Sequence, residues 1–160
     1  MDDRLPHPRE LAPHAAPMLL IDRMTRCDAQ RVTAQAVVRE DGLFYMAGRG
    51  LPGYVGFEMM AQVVSAFDGW RRRALGEAPA IGFLLGCRKY RVAVEWFAAG
   101  DVLEIEAVSL IEEGEMRSFD CRITGSGGNV LASGVLSVYR PSDAEAFFAR
   151  TRARGGDGER

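Results

Sequence analysis

Val32, Ala34, Ala36 and Val38 alternate with Thr33, Gln35 and Arg39, the two-residue period of a strand with one buried face. The run before it, residues 18–27 (MLLIDRMTRC), is apolar then mixed and predicts another strand. From Arg39 to Gly53 four glycines and a proline interrupt any period (REDGLFYMAGRGLPG), so an irregular loop is expected, of a length often tied to function. From Pro52 to Arg73 the apolar residues Val55, Phe57, Met59, Met60, Val63, Val64, Phe67 and Trp70 fall on nearly every helical face, which predicts a buried helix. Pro52 and Gly53 suit its first turn, and Arg71, Arg72 and Arg73 suit the carbonyl end of its dipole as a solvated terminus.

Strand patterns return after Gly76. Ala80 to Trp96 is long enough for one bent strand or two. In Val102 to Leu110, the apolar Leu103, Ile105 and Ala107 alternate with Glu104 and Glu106, while Phe119, Cys121 and Ile123 share one face of Arg117 to Thr124. Both strands read as half-buried and antiparallel. EEGEM and GSGGN are hairpin connections, the second leading into a strand from Val130 to Arg140. A phosphate-binding glycine loop would open a helix instead, so GSGGN is read as a turn. Ser142 and Glu145 after Pro141 have the capping-box form and predict a short C-terminal helix. The pattern describes an α+β domain over residues 1–153, a long central helix wrapped by a curved antiparallel sheet, with 154–160 as a disordered tail.

Composition narrows the function classes. The 160 residues are 48% hydrophobic and 26% charged, enough for one domain with a core. Twenty Lys+Arg against 22 Asp+Glu give a formal charge of -2, so no global basic field points to nucleic acid. The start, MDDRLPH, lacks the order of a signal peptide, and no uncharged apolar run reaches ~18 residues. No membrane partner is expected, and a cytoplasmic location is. Three cysteines (Cys27, Cys87, Cys121) without CxxC spacing argue against a disulfide framework or a zinc site and read as small buried apolar groups. With only His7 and His14 present, no metal site is expected, and any imidazole chemistry must use these two or another chain.

One residue does not fit its surroundings. Across Leu51 to Phe67 the only formally charged residue is Glu58, near the start of a helix that is otherwise dry. Burial without a basic partner would raise its pKa and make it a proton donor near neutral pH. Gln62, at i+4, can hold the carboxyl by a hydrogen bond. The alternative is a carboxylate that merely complements the helix N-terminus. Gly53, five residues earlier, would offer an outward amide to a carbonyl oxygen, and an acid beside such a donor suits an acyl thioester.

The segments PHAAPMLLIDRM (13–24), LPGYVGFEMMAQ (51–62) and IGFLLGCRKYRVAVEWFAAGD (81–101), with the closing hairpins, resemble the hot-dog-fold 3-hydroxyacyl-[acyl-carrier-protein] dehydratases, in particular their aryl-polyene-type branch, over residues 11–141. The ordered set is specific, although any single piece is weak. The resemblance implies a hot-dog fold paired into a homodimer, or a heterodimer with a related subunit. It implies removal of water from a (3R)-3-hydroxyacyl thioester on the phosphopantetheine arm of acyl carrier protein, in fatty-acid or polyene-type synthesis, with no cofactor. It assigns Glu58 to the departing hydroxyl, Gly53 to the thioester carbonyl and Gln62 to support of the acid. Phe44, Tyr54 and Phe83 would face substrate, and Arg88 and Lys89 would meet the carrier protein.

The sequence also departs from that family. Its catalytic histidine lies 14 residues before the carboxylate, and this position is Phe44. No histidine occurs in residues 39–58, so the α-proton needs another base. His14 is the nearby candidate, either as a replacement base or as a residue that orders the N-terminal segment. Tyr45 and Tyr54 are poor bases and are expected to pack. Three readings follow: an active dehydratase, a catalytically weak acyl-carrier-protein-binding subunit that pairs with a histidine-containing dehydratase, or an acyl thioesterase whose carboxylate activates water.

Overall fold

The most apolar stretch of the chain becomes α1 (Gly56–Ala74), preceded by a single 3-10 turn at Gly53–Val55. In the computed structural model, which describes residues 5–155, the strands are β1 (Arg23–Cys27), β2 (Arg31–Val37), β3 (Leu51–Pro52), β4 (Phe83–Val92), β5 (Trp96–Phe97), β6 (Val102–Glu113), β7 (Met116–Thr124) and β8 (Val130–Tyr139). A C-terminal helix, α2, spans Ala144–Gly155. The main sheet has the order β1-β2-β6-β7-β8-β4, antiparallel throughout, and β3 and β5 form a separate small pair.

Alternation along the strands aims one set of side chains at α1. Val32, Ala34, Ala36, Leu103, Ile105 and Ala107 are fully buried, and register pairs Ala34 with Ile105 and Ala36 with Leu103. Met60, Val63, Ala66 and Phe67 of the helix meet them at zero exposure. Each large apolar side chain so buried contributes ~1.5–3 kcal/mol. This is the hot-dog arrangement, a helix wrapped by a curved sheet, and no helix among the described residues is long and apolar enough to cross a membrane.

The N-terminal segment lies against α1 and shapes the site. Leu11 and Ala12 are buried, and the Leu11 carbonyl approaches Gly69 so closely that a Cβ there would meet the oxygen at 2.0 Å. Only glycine fits. Arg73 pairs with Glu10 at 3.1 Å, Arg71 with Glu112, and Arg72 with Glu77 at 3.2 Å, so the expected solvated arginine trio is a set of partly exposed ion pairs.

Several expectations change in detail. Pro52 ends β3 instead of opening the helix, because the Gly53 amide continues that ladder by donating to the Glu95 carbonyl. Ser142 is not the cap of α2; Asp143 accepts from the Ala146 amide at 2.9 Å, while the Ser142 amide and hydroxyl both donate to Glu115. Residues 154 and 155 end α2, so they are helical, and 156–160 of the expected tail lie outside the described residues. Cys121 is buried, whereas Cys27 and Cys87 are only half-buried. Burial pushes the Cys27 thiol up to about 12.

Glu115, in the β6–β7 turn, ties the end of β8 to the start of α2. The Ser142 amide and then the Tyr139 and Ser142 hydroxyls donate to its carboxylate and hold its pKa down at about 2, below the ordinary 4.5. A depressed acid supports the fold above its ordinary value and loses that support as pH falls through the native one. Anchoring of α2 is therefore expected to be complete above pH 4.5 and lost toward pH 2, whereas Glu115→Gln weakens it at neutral pH; hydrogen exchange of the α2 amides measures both.

Candidate active site

Glu58 lies in the first turn of α1 and lines a cavity of about 250 Å³ between that helix, the N-terminal segment and the sheet. Pro13 and His14 form one wall, Ala61, Val64, Ser65 and Asp68 of α1 a second, and Phe119, Val138, Gly82 and Leu84 a third. The walls are mainly apolar, with Glu58 and His14 at one place and Asp68, Arg117 and Arg140 at another.

The carboxyl is held by one hydrogen bond, and a second group approaches the same oxygen. Gln62 Nε2 donates to Glu58 Oε1 at 2.9 Å, and His14 Nε2 lies 3.5 Å from the same atom. Glu58 Oε2 makes no hydrogen bond to the described residues and is the oxygen left for a ligand. Gln62 is fully buried; its Nε2 also donates to the Met18 carbonyl at 2.7 Å, and its Oε1 accepts from the Leu20 amide at 2.7 Å. The i+4 spacing thus produced the expected contact, and the same amide locks residues 18–20 onto the helix. His14 Nδ1 is buried without a hydrogen-bond partner.

The expectation that burial desolvates Glu58 is corrected. Glu58 is 32% exposed and has His14 beside it at 28%, because the N-terminal segment brings an imidazole to the cavity that Glu58 lines. An acid on a cavity wall is accessible to a ligand, which one inside the core is not.

Other predicted site residues go elsewhere. Gly53 does not present a free amide: its N–H donates to the Glu95 carbonyl at 2.9 Å, and its carbonyl accepts from the Tyr90 hydroxyl at 2.7 Å. A Cβ at Gly53 would meet the Val94 carbonyl at 2.4 Å, so close packing explains this glycine without a ligand. Phe83, at the start of β4, does not line the cavity as its neighbours Gly82 and Leu84 do, and it joins Phe147 and Phe148 of α2 with ring centroids 5.0 and 6.0 Å away. Tyr54 is 71% exposed and lines no part of the cavity, contrary to the expectation that it packs. Phe44 sits in the loop before β3, half-buried against the core and away from the cavity walls; Tyr45 packs beside it as expected. Arg88 and Lys89 lie exposed on edge strand β4, Lys89 with a φ of 56° at a bulge. With Arg91 they form no ion pair among the described residues, whereas eight other arginines do.

Sequence reasoning missed Asp68, Ser65, Arg117 and Arg140. Asp68 was findable, since it follows Glu58 by ten residues on the same helical face; Arg140 was hidden by its position at a strand end.

Gln62 and Glu58 should separate in a stability measurement. Gln62→Leu leaves the Met18 carbonyl and the Leu20 amide without partners and is expected to cost ~2–4 kcal/mol in urea unfolding, while Glu58→Gln costs less than ~1 kcal/mol. Equal losses would show that Gln62 does not hold the segment.

Comparison with known proteins adds to this geometry. The model of the ApeP-like family, described as ApeP dehydratase, matches residues 6–149. A chain of the structure "The Dehydratase Heterocomplex ApeI:P from Xenorhabdus doucetiae" is similar at 33% identity and a TM-score of 0.83, over 91% of this chain and 98% of that one. The PaaI protein of E. coli, from the phenylacetic acid degradation operon, shares the fold at 14% identity and a TM-score of 0.59, over 73% of this chain and 81% of that one.

Proposed function

The chain belongs to the ApeP-like dehydratase family, and from that premise we propose that it is the carboxyl-bearing subunit of a 3-hydroxyacyl-[acyl-carrier-protein] dehydratase that works as a heterodimer. Its partner would be a related hot-dog chain that carries the histidine.

The observation behind this reading is the 3.5 Å separation between His14 and Glu58. Syn elimination takes a proton from C2 while the hydroxyl leaves C3, so base and acid must stand on the substrate with its carbons between them. As placed, the imidazole is within contact distance of the carboxyl, so those carbons fit between the two only if His14 turns aside. On this reading His14 is a neighbour of Glu58 and not the α-proton base. Phe44, at the position of the family histidine, carries no basic atom. The base comes from another chain, in keeping with the heterocomplex described for the relative from Xenorhabdus doucetiae.

In the reaction the partner imidazole removes the C2 proton, the C2–H electron pair forms the C2=C3 bond, and the C3–O bond breaks. Glu58 gives its proton from Oε2 to the departing hydroxyl, which leaves as water, while Gln62 fixes Oε1. The thioester carbonyl needs an amide other than that of Gly53 in this arrangement. Arg88, Lys89 and Arg91, unpaired on the β4 edge, suit an acidic carrier protein.

The test follows enoyl product from 3-hydroxyacyl-[acyl-carrier-protein]. The chain alone is expected to be inactive, and addition of a histidine-bearing ApeI-type subunit should restore turnover. Glu58→Gln should lower kcat of the pair by ~10²–10⁴-fold. Exchanging Arg88 and Lys89 for glutamate should raise KM for the carrier-borne substrate and not for its free pantetheine thioester. Full activity of the chain by itself would place the base within it, and release of free thiol would make it a thioesterase.

A further inference from the structure

The cavity lined by Glu58 is also lined, farther along the helix, by a charged pair. Ala61, Ser65 and Asp68 follow Glu58 by three, seven and ten residues on one face of α1, so Asp68 is the last helix residue to line the cavity. At 1.5 Å per residue it stands about 15 Å farther along the axis. There its carboxylate accepts from the guanidinium of Arg140, just beyond the end of β8. Arg140 is 27% and Asp68 30% exposed, and their contact bridges helix and sheet. The backbone of Arg140 is fixed as well, because its amide donates to the Glu115 carbonyl at 2.8 Å.

Between the two charged places the walls are Ala61, Val64, Phe119, Val138 and Leu84, which offer an alkyl chain apolar contact. A chain that extends farther must part Arg140 from Asp68 and leave each charge without its partner in a half-buried place, which is costly.

We propose that the Asp68–Arg140 ion pair is the stop that sets the longest acyl chain this protein accepts. The assignment rests on the dehydratase reading, since it takes the cavity as the acyl slot. An extended chain advances about 1.2 Å per bond, so a 15 Å slot takes about a dozen bonds beyond the reacting carbon. The terminal methyl of a 3-hydroxytetradecanoyl or 3-hydroxyhexadecanoyl group would then meet the pair.

The experiment measures kcat/KM of the reconstituted heterodimer on carrier-protein thioesters from 3-hydroxybutanoyl to 3-hydroxyicosanoyl. Wild type should fall by about tenfold or more beyond 3-hydroxyhexadecanoyl, a step of the size that pocket contacts produce. In the double variant Asp68→Ala/Arg140→Ala the ratio of long-chain to short-chain kcat/KM should rise by about tenfold. The charge-swapped variant Asp68→Arg/Arg140→Asp rebuilds the bridge and should restore the cutoff, which a merely structural role would not predict. An unchanged length profile in the double variant, with 3-hydroxybutanoyl still turned over, overturns the stop and leaves the dehydratase reading standing. Failure of the wild-type heterodimer on every chain length overturns the dehydratase reading, and the stop with it.

Discussion

The buried amide of Gln62 is the constraint on which the site depends. Its carbonyl and amino groups take the Leu20 amide and the Met18 carbonyl, two backbone groups from a segment more than forty residues away, and its remaining N–H reaches Glu58. A fully buried side-chain amide is tolerable only when its hydrogen bonds are made, and here they are made by the backbone that must lie on α1 for His14 to reach the carboxyl. Packing and chemistry therefore share one residue. The helix can hold an ionisable group at its surface because the next turn is clamped.

The fold was legible because it depends on periodicity. Leu103, Ile105 and Ala107 alternate with glutamates, and the helix from Val55 to Trp70 is apolar all round; together they require a helix enclosed by a sheet. Errors occurred where backbone pairing competes with local signals. Pro52 and Gly53 look like a helix start, but the Gly53 amide finds the Glu95 carbonyl, a partner forty-two residues away that no local pattern announces. Ser142 looks like a cap, but Glu115 claims it across the β6–β7 turn.

The site was legible only in part, for a related reason. Spacing on one helix is a local fact, so Glu58 and Gln62 were found together and Asp68 could have been. Which neighbours cover that helix is not local. The approach of His14, the turning of Phe83 toward α2 and the exposure of Tyr54 all follow from tertiary placement. The error about Glu58 arose the same way: a charged residue in an apolar stretch suggests full burial, whereas the sheet does not close over that turn and leaves a cavity.

The proposed division of acid and base between two chains would account for this geometry. In a single chain, the loop that would supply a base contributes Phe44 to the core, and the one imidazole within reach is drawn against the carboxyl by the segment that Gln62 anchors. In the proposed reading, a base brought by a second subunit facing the cavity would leave the Gln62 clamp undisturbed. The same rigidity gives the cavity a fixed length, because Glu58 and Asp68 lie on one unbroken helix.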